Sequence, residues 1–324
     1  MKKVVFVDSK LFPPVFDDLE RRVAELDGTV FYAESNEEDY LAEVCRDADA
    51  VIVIFSRITE KIISGMEHCR MIIRTGIGVD NIDVDAASRK GIQVSFVPDY
   101  CRDEVADHTL ALALDAARKI SIYNKYVKED WNVKPHAGYV PRLQNCKACI
   151  LSFGNIGRKI AKRLQGFDIK VAAYDPFLPD SVFEEMGVER KRTTDELISD
   201  ADLLILTGPL TDSNYHIINA ESIRLMKKTA FLVNSGRGGL VEEAALIQAV
   251  RNGDIAGAAV DVLETEPLAD KSVFDLDNLI ITPHMAYYSV ASMPDLVQKS
   301  FDETIRALKG EKLNNCVNAA ALEK

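Results

Sequence analysis

The feature that most constrains this chain is an alternation, sustained to about residue 280, of short Val- and Ile-rich runs with longer amphipathic segments. Short continuous apolar runs suit strands buried on both faces, which arise where crossover helices cover a parallel sheet. The pattern therefore dictates an α/β class. Strands are expected at Val4 to Val7, Val51 to Ile54, Met71 to Ile73 and Gln93 to Ser95, with helices at Pro14 to Leu26 and Thr59 to Glu67. From Asp103 to Ile120, Val105, Leu110, Leu112, Leu114 and Ala117 recur at helical spacing and predict one long apolar helix after Pro98. A second strand series begins near Ala148 and runs through Val171, Leu203, Phe231, Ala256 and Ile280. The amphipathic stretch from Ser289 to Leu308 follows that series and is expected to pack back on the first domain.

With 324 residues, 47% of them hydrophobic, the chain exceeds what one core supports. The expected architecture is two Rossmann-like doubly wound domains, one inserted in the other: residues 1–99 with 287–324, and residues 100–286. A net charge of -12, from 51 acidic and 39 basic residues, disfavours nucleic acid and anionic membranes as partners. No run approaches the ~20 apolar residues that cross a bilayer, and the run opening MKKVVFVDSK is too short for a signal-peptide core. The expected location is cytoplasmic. Six scattered cysteines argue against a disulfide framework. Cys146 and Cys149 form a single CxxC with no second pair to complete a zinc site, so no metal is expected; Cys149 reads as a buried thiol in a strand, and a redox role would need it exposed.

The segment ILSFGNIGRKIAKRL reads as strand, turn and helix, and its turn, Ser152 through Gly157, is GxGxxG with serine in the first glycine position. Gly154 lets the backbone approach a pyrophosphate, Asn155 and Ile156 open the helix, and Gly157 lets helix and strand pack closely. The helix N-terminus adds free N–H donors and the positive end of a dipole. Asp175 stands eighteen residues beyond Gly157, at the end of the run VAAY, near the spacing expected of a carboxylate that binds adenosine ribose hydroxyls. The combination implies NAD, with Asp175 disfavouring a 2'-phosphate by like charge.

Hydride transfer to a 2-oxo acid needs a carboxylate clamp, a proton donor and a group that orients the donor. Arg237 lies in VNSGRGGLV directly after an apolar run, as a permanent cation with a planar donor fork. His284, in ITPHMAYY, also follows a strand and is a natural proton donor; read alone, it could equally be a structural histidine. Glu266, in DVLETEP, would favour the protonated imidazole and hold the ring. His68, His108, His136 and His216 have poorer context.

Over essentially its whole length the chain resembles the D-isomer-specific 2-hydroxyacid dehydrogenases, through GIGVDNID, EVADHTLAL, SFGNIGRKIAKRL, AAYDP, GPLTDSN, VNSGRGGLVEEAAL, GAAVDVLETEPL and ITPHMA in the family's order. Phosphoglycerate dehydrogenases and C-terminal-binding-protein relatives are the most similar branch, although no regulatory domain is expected after the core. The resemblance implies that residues 100–286 are the NAD-binding domain and the remainder the substrate domain. It assigns Arg237, Glu266 and His284 as catalytic, and it implies that Arg74 and the backbone of Ile77 and Gly78 meet the substrate carboxylate. Asp261 falls where the family positions the nicotinamide carboxamide, and Thr109 where it contacts the cofactor. Ser152 and Thr207 depart from the family's glycine and histidine. The implied reaction is NAD-dependent hydride transfer at C2 of a small 2-oxo acid such as hydroxypyruvate, glyoxylate or phosphohydroxypyruvate, in a homodimer. The substrate side chain is expected near Phe55, Ser56, Arg57 and Tyr287. An NAD(H)-sensing interaction protein on the same fold is the alternative.

Overall fold

A computed structural model of the chain describes residues 1–8, 17–132, 138–268 and 270–323. These divide into two compact units, Met1–Tyr100 with Ser289–Lys324, and Cys101–Tyr288.

The first unit opens with β1 (Lys2–Phe6), α1 (Asp17–Ala24), β2 (Gly28–Tyr32), α2 (Glu38–Val44), β3 (Ala50–Val53), α3 (Glu60–Gly65), β4 (Met71–Arg74), α4 (Val84–Arg89) and β5 (Gln93–Phe96). The strands form one parallel sheet in the order β2-β1-β3-β4-β5, the doubly wound arrangement in which the chain reverses direction beside its first strand. Central β3, the run AVIV, is buried throughout, whereas edge strand β2 alternates between half-buried and exposed residues. That alternation hides β2 from a reading based on continuous apolar runs. The helix expected from Pro14 begins outside the described residues; its described part is α1, ending at Ala24.

The second unit starts with α5 (Arg102–Arg118) and α6 (Ile120–Tyr126). The single helix expected over 103–120 is thus two, because Lys119 takes the left-handed conformation (φ 59°) and ends the first ladder. There follow β6 (Lys147–Leu151), α7 (Asn155–Gln165), β7 (Lys170–Tyr174), α8 (Asp180–Glu185), β8 (Glu189–Arg190), α9 (Thr194–Asp200), β9 (Leu203–Leu206), α10 (Ala220–Ile223), β10 (Phe231–Asn234), α11 (Glu243–Asn252), β11 (Gly257–Val260) and β12 (Leu279–Ile281). All the strands are parallel, in the order β12-β11-β10-β9-β6-β7-β8. The winding reverses between β6 and β9, and in such sheets ligands bind outside the carboxyl ends of the strands at that point. One face of the sheet buries Ile150 and Val233 with Ala113 of α5 and Ile160 of α7; the other buries Leu204 and Leu232 with Ile198 of α9 and Leu246 of α11.

The chain then returns to the first unit as α12 (Ser292–Lys309) and α13 (Ala319–Leu322). Helix α12 packs on β3 and β4 and buries Leu296, Phe301 and Leu308. Among the described residues, no helix is long and apolar enough to cross a membrane.

Candidate active site

Arg237, Glu266 and His284 follow β10, β11 and β12, three strands adjacent in the sheet, so parallel pairing alone brings their loops to one edge. His284 Nδ1 lies 2.8 Å from Glu266 Oε2, and Glu266 Oε1 accepts the Leu263 N–H at 2.9 Å. Partial burial pulls the Glu266 carboxyl upward in pKa, but the hydrogen bonds from His284 and Leu263 outweigh it and hold the group below the usual carboxylate range. An ionised Glu266 fixes the ring with Nδ1–H toward the carboxylate and Nε2 facing away. His284 itself sits at φ 54°, a left-handed conformation that costs a non-glycine residue of order 1–3 kcal/mol and tends to mark functional sites. Its N–H donates to Asp261 O at 2.8 Å and Thr282 O at 3.0 Å.

Asp261 is the buttress of this loop. Its buried carboxylate accepts from Thr282 Oγ1 (2.5 Å) and Met285 N (2.9 Å) on Oδ1, and from Ala286 N (2.9 Å) on Oδ2. Burial pushes this carboxyl up, but contacts with His108, Thr282 and the two backbone donors more than reverse the effect. His108 Nε2 lies 2.9 Å from Thr282 Oγ1 and 3.5 Å from Asp261 Oδ1. The helix histidine that sequence context passed over is therefore part of the support.

The Arg237 turn is fastened to the Glu266 loop. Asn234 Nδ2 donates to the Arg237 carbonyl at 2.9 Å, and Arg237 Nη1 donates to Gly236 O at 2.9 Å. Gly238 must be glycine, since a Cβ there would lie 1.9 Å from Leu263 O. His216, a second histidine passed over, donates its backbone N–H to Gly239 O (2.8 Å) and brings Nε2 to 2.5 Å from Glu264 Oε1. Glu264 accepts the Glu243 backbone N–H at 2.7 Å, and Glu243 accepts that of Glu264 at 3.1 Å. Thr109 is buried on α5, with its hydroxyl 2.6 Å from that of Ser235, two residues before Arg237.

The fingerprint turn occupies the reversal point beside β9. Gly157 is required, because a Cβ would lie 2.5 Å from Ser152 O, whereas a Cβ at Gly154 would meet nothing within 4 Å. Open space at Gly154 and an α7 N-terminus with no side-chain cap make a cradle that fits a pyrophosphate. Asn155 and Ile156 form the first turn of α7, and Arg158 Nη2 donates to Asn155 Oδ1 at 2.7 Å. Ser152 takes φ 74°, the conformation a glycine would adopt without strain, and its carbonyl accepts the Thr207 hydroxyl at 3.0 Å. Asp175 follows β7; its Oδ2 accepts Phe153 N at 2.9 Å and its Oδ1 accepts Phe177 N at 3.0 Å, each oxygen keeping capacity for another donor.

In the first unit, Arg74, Ile77 and Gly78 lie at the end of β4, beside the Phe55–Arg57 turn after β3. Arg74 Nη1 donates to Thr75 O at 3.2 Å, and its guanidinium fills the space where a Cβ at position 76 would lie, 1.1 Å from Nη1, so that Gly76 must be glycine. Asp8 Oδ2 accepts the N–H groups of Ile54, Phe55 and Ser56 at 3.0–3.1 Å, while Asn81 Nδ2 donates to Ile54 O and Ser56 O. Cys146 and Cys149 are buried, and burial raises the Cys149 thiol to about 12, which removes the thiolate that redox exchange needs. His136 lies outside the described residues.

A family model described as the NAD binding domain of D-isomer specific 2-hydroxyacid dehydrogenase matches residues 110–286. The chain is 37% identical to a D-3-phosphoglycerate dehydrogenase of Methanocaldococcus jannaschii over 98% of its own length and 60% of that protein's. It is 36% identical to a glyoxylate reductase of Pyrococcus furiosus over 80% of each. The crystal structure of D-lactate dehydrogenase from Aquifex aeolicus, complexed with NAD and lactic acid, superposes with a TM-score of 0.85 at 26% identity, covering 97% of this chain and 98% of that one. The chain belongs to the D-isomer specific 2-hydroxyacid dehydrogenase family, and its second unit carries the family's NAD-binding domain.

Proposed function

We propose that the protein is an NAD-dependent oxidoreductase acting at C2 of a small 2-oxo or 2-hydroxy acid, such as hydroxypyruvate, glyoxylate or phosphohydroxypyruvate. The observation that carries this reading is the 2.8 Å contact between His284 Nδ1 and Glu266 Oε2, one strand away from Arg237, in a chain of this family. Bound NADH supplies the hydride, or NAD accepts it. In reduction, His284 gives the Nε2 proton to the C2 oxygen while Glu266 stabilises the imidazolium and then retains the neutral ring in the same orientation. In oxidation, neutral His284 takes that proton back. The Arg237 fork binds the substrate carboxylate and polarises the C2 carbonyl. Arg74 and the backbone N–H groups of Ile77 and Gly78 contribute to carboxylate binding from the first unit, which acts as the substrate domain.

On the cofactor side, Gly154, Asn155, Ile156 and Gly157 serve the pyrophosphate and Asp175 the adenosine ribose. Asp261 Oδ2, with one backbone donor on it, has capacity to accept from the nicotinamide carboxamide. Thr109, whose hydroxyl pairs with that of Ser235, serves the cofactor. The test is NADH oxidation, followed by absorbance, across a panel of these 2-oxo acids. Turnover of at least one supports the reading; NADH binding without turnover of any would favour an NAD-sensing interaction protein.

We also read the chain as a cytoplasmic homodimer. Six free cysteines suit a reducing compartment. The α5–α6 region and the segment near Trp131 carry exposed apolar side chains, Ile120 at 58% and Trp131 at 88%. A monomer mass by light scattering at micromolar concentration would contradict the dimer.

A further inference from the structure

Two arginines outside the fingerprint gather beside the loop that follows Asp175. Arg190 lies on edge strand β8, where it pairs in register with Ala173 of β7, two residues before Asp175. Its Nη2 donates to the Asp175 carbonyl oxygen at 3.3 Å, and its Nη1 donates to Asp180 Oδ1 at 2.5 Å. Its guanidinium lies 4.8 Å from the centroid of Phe183, and that ring stacks at 5.1 Å on Phe153 of the fingerprint turn. Arg192 Nη1 comes to 3.0 Å from the same Asp180 oxygen. One aspartate thus engages two guanidinium groups immediately beyond the carboxylate assigned to the ribose.

Arg190 and Arg192 are distant from Asp175 along the chain. Strand pairing returns Arg190 to the loop, with its plane fixed by Phe183 and its edge against the Asp175 backbone. A planar donor fork held in this way suits a phosphate, which binds arginine through paired charge-assisted hydrogen bonds. The position at issue is the adenosine 2'-oxygen, a hydroxyl in NAD and a phosphate ester in NADP. Two carboxylates oppose the phosphate there by different routes: Asp175 by like charge, Asp180 by occupying the cations.

We infer that Asp180 is a cofactor-specificity residue, which keeps Arg190, with Arg192, from clamping a 2'-phosphate. The inference rests on the assignment of Asp175 to the adenosine ribose. Because Asp180 is half exposed, each ion pair is weak, and the expected effect is correspondingly modest.

The experiment is equilibrium titration of the full chain with NADPH and with NADH, followed by nicotinamide fluorescence, so that no substrate turnover is needed. Asp180→Asn should tighten NADPH binding about three- to tenfold while changing NADH binding by less than about twofold. Adding Arg190→Gln should abolish the gain, and Asp195→Asn, which makes the same change in charge at an exposed site on α9, should not reproduce it. NADH binding with no change in NADPH affinity in Asp180→Asn, or an equal gain in Asp195→Asn, would overturn this inference alone. Failure of the unmodified chain to bind NADH would overturn the NAD reading and this inference with it.

Discussion

The carboxyl edge of the second unit's sheet has two halves held by different physics. Along β10, β11 and β12 the loops are tied by side chains. Asp261 accepts from Thr282, Met285 and Ala286, Glu266 accepts from His284 and Leu263, and Glu264 joins His216 to Glu243. Along β6 and β7 the turn is set mainly by backbone sterics, with Gly157 against Ser152 O, open space at Gly154 and Ser152 at φ 74°. Side chains that orient one another can be replaced at the cost of chemistry while the cofactor cradle persists. A turn fixed by sterics responds instead to added or removed atoms, through stability and cofactor binding.

The sharpest separation of the halves is His284→Asn. Loss of the proton donor should lower kcat by about 10² to 10⁴, with the NADH dissociation constant unchanged, because the fingerprint turn is untouched. Steady-state rates and an NADH titration on the same sample check both parts, and near-normal turnover would remove His284 from the mechanism. Arg237→Lys keeps the charge and loses the bidentate fork, so kcat/KM should fall about 10- to 100-fold, with KM and kcat both affected. Unchanged steady-state constants would rule out the clamp.

Asp261→Asn probes the buttress rather than the chemistry. Replacing a buried, hydrogen-bonded carboxylate should cost about 1.5–3 kcal/mol in urea unfolding at neutral pH. The native carboxyl is held below its unfolded value, so its contribution is present above that unfolded value and is lost as pH falls through the native one. Stability of the variant should therefore fall less steeply than that of the unmodified protein between neutral pH and the acid range; parallel curves would contradict the assignment. The smallest effect is expected at Ser152→Gly, which relieves a left-handed serine and should raise stability by about 1 kcal/mol. A loss of stability would mean that the Ser152 side chain contributes more than its backbone strain costs.

The same contrast explains what could be read from the amino-acid sequence. Gly157 is visible because backbone sterics imposes glycine there, Gly154 and Asp175 because they stand at fixed spacing from it, and Arg237, Glu266 and His284 because each lies in the loop after an apolar run. The supporting side chains are not visible. His108 meets Thr282 across 174 residues and His216 meets Glu264 across 48, so no local pattern marks either contact. Arg190 reaches Asp175 through β7–β8 pairing, and a two-residue edge strand leaves no hydrophobic period to find. The break at Lys119 depends on a single left-handed residue within an apolar pattern that continues past it.

The proposed hydride transfer depends most heavily on His284 and Glu266 acting as one proton-transfer unit across their 2.8 Å contact. A double-mutant cycle in kcat/KM tests this directly, comparing His284→Asn, Glu266→Gln and the combined variant with the unmodified protein. Once the imidazole is gone, Glu266 has nothing to orient, so the combined variant should be about as slow as His284→Asn alone. Losses that multiply would contradict a single proton-transfer unit, because they would mean that the two residues act independently.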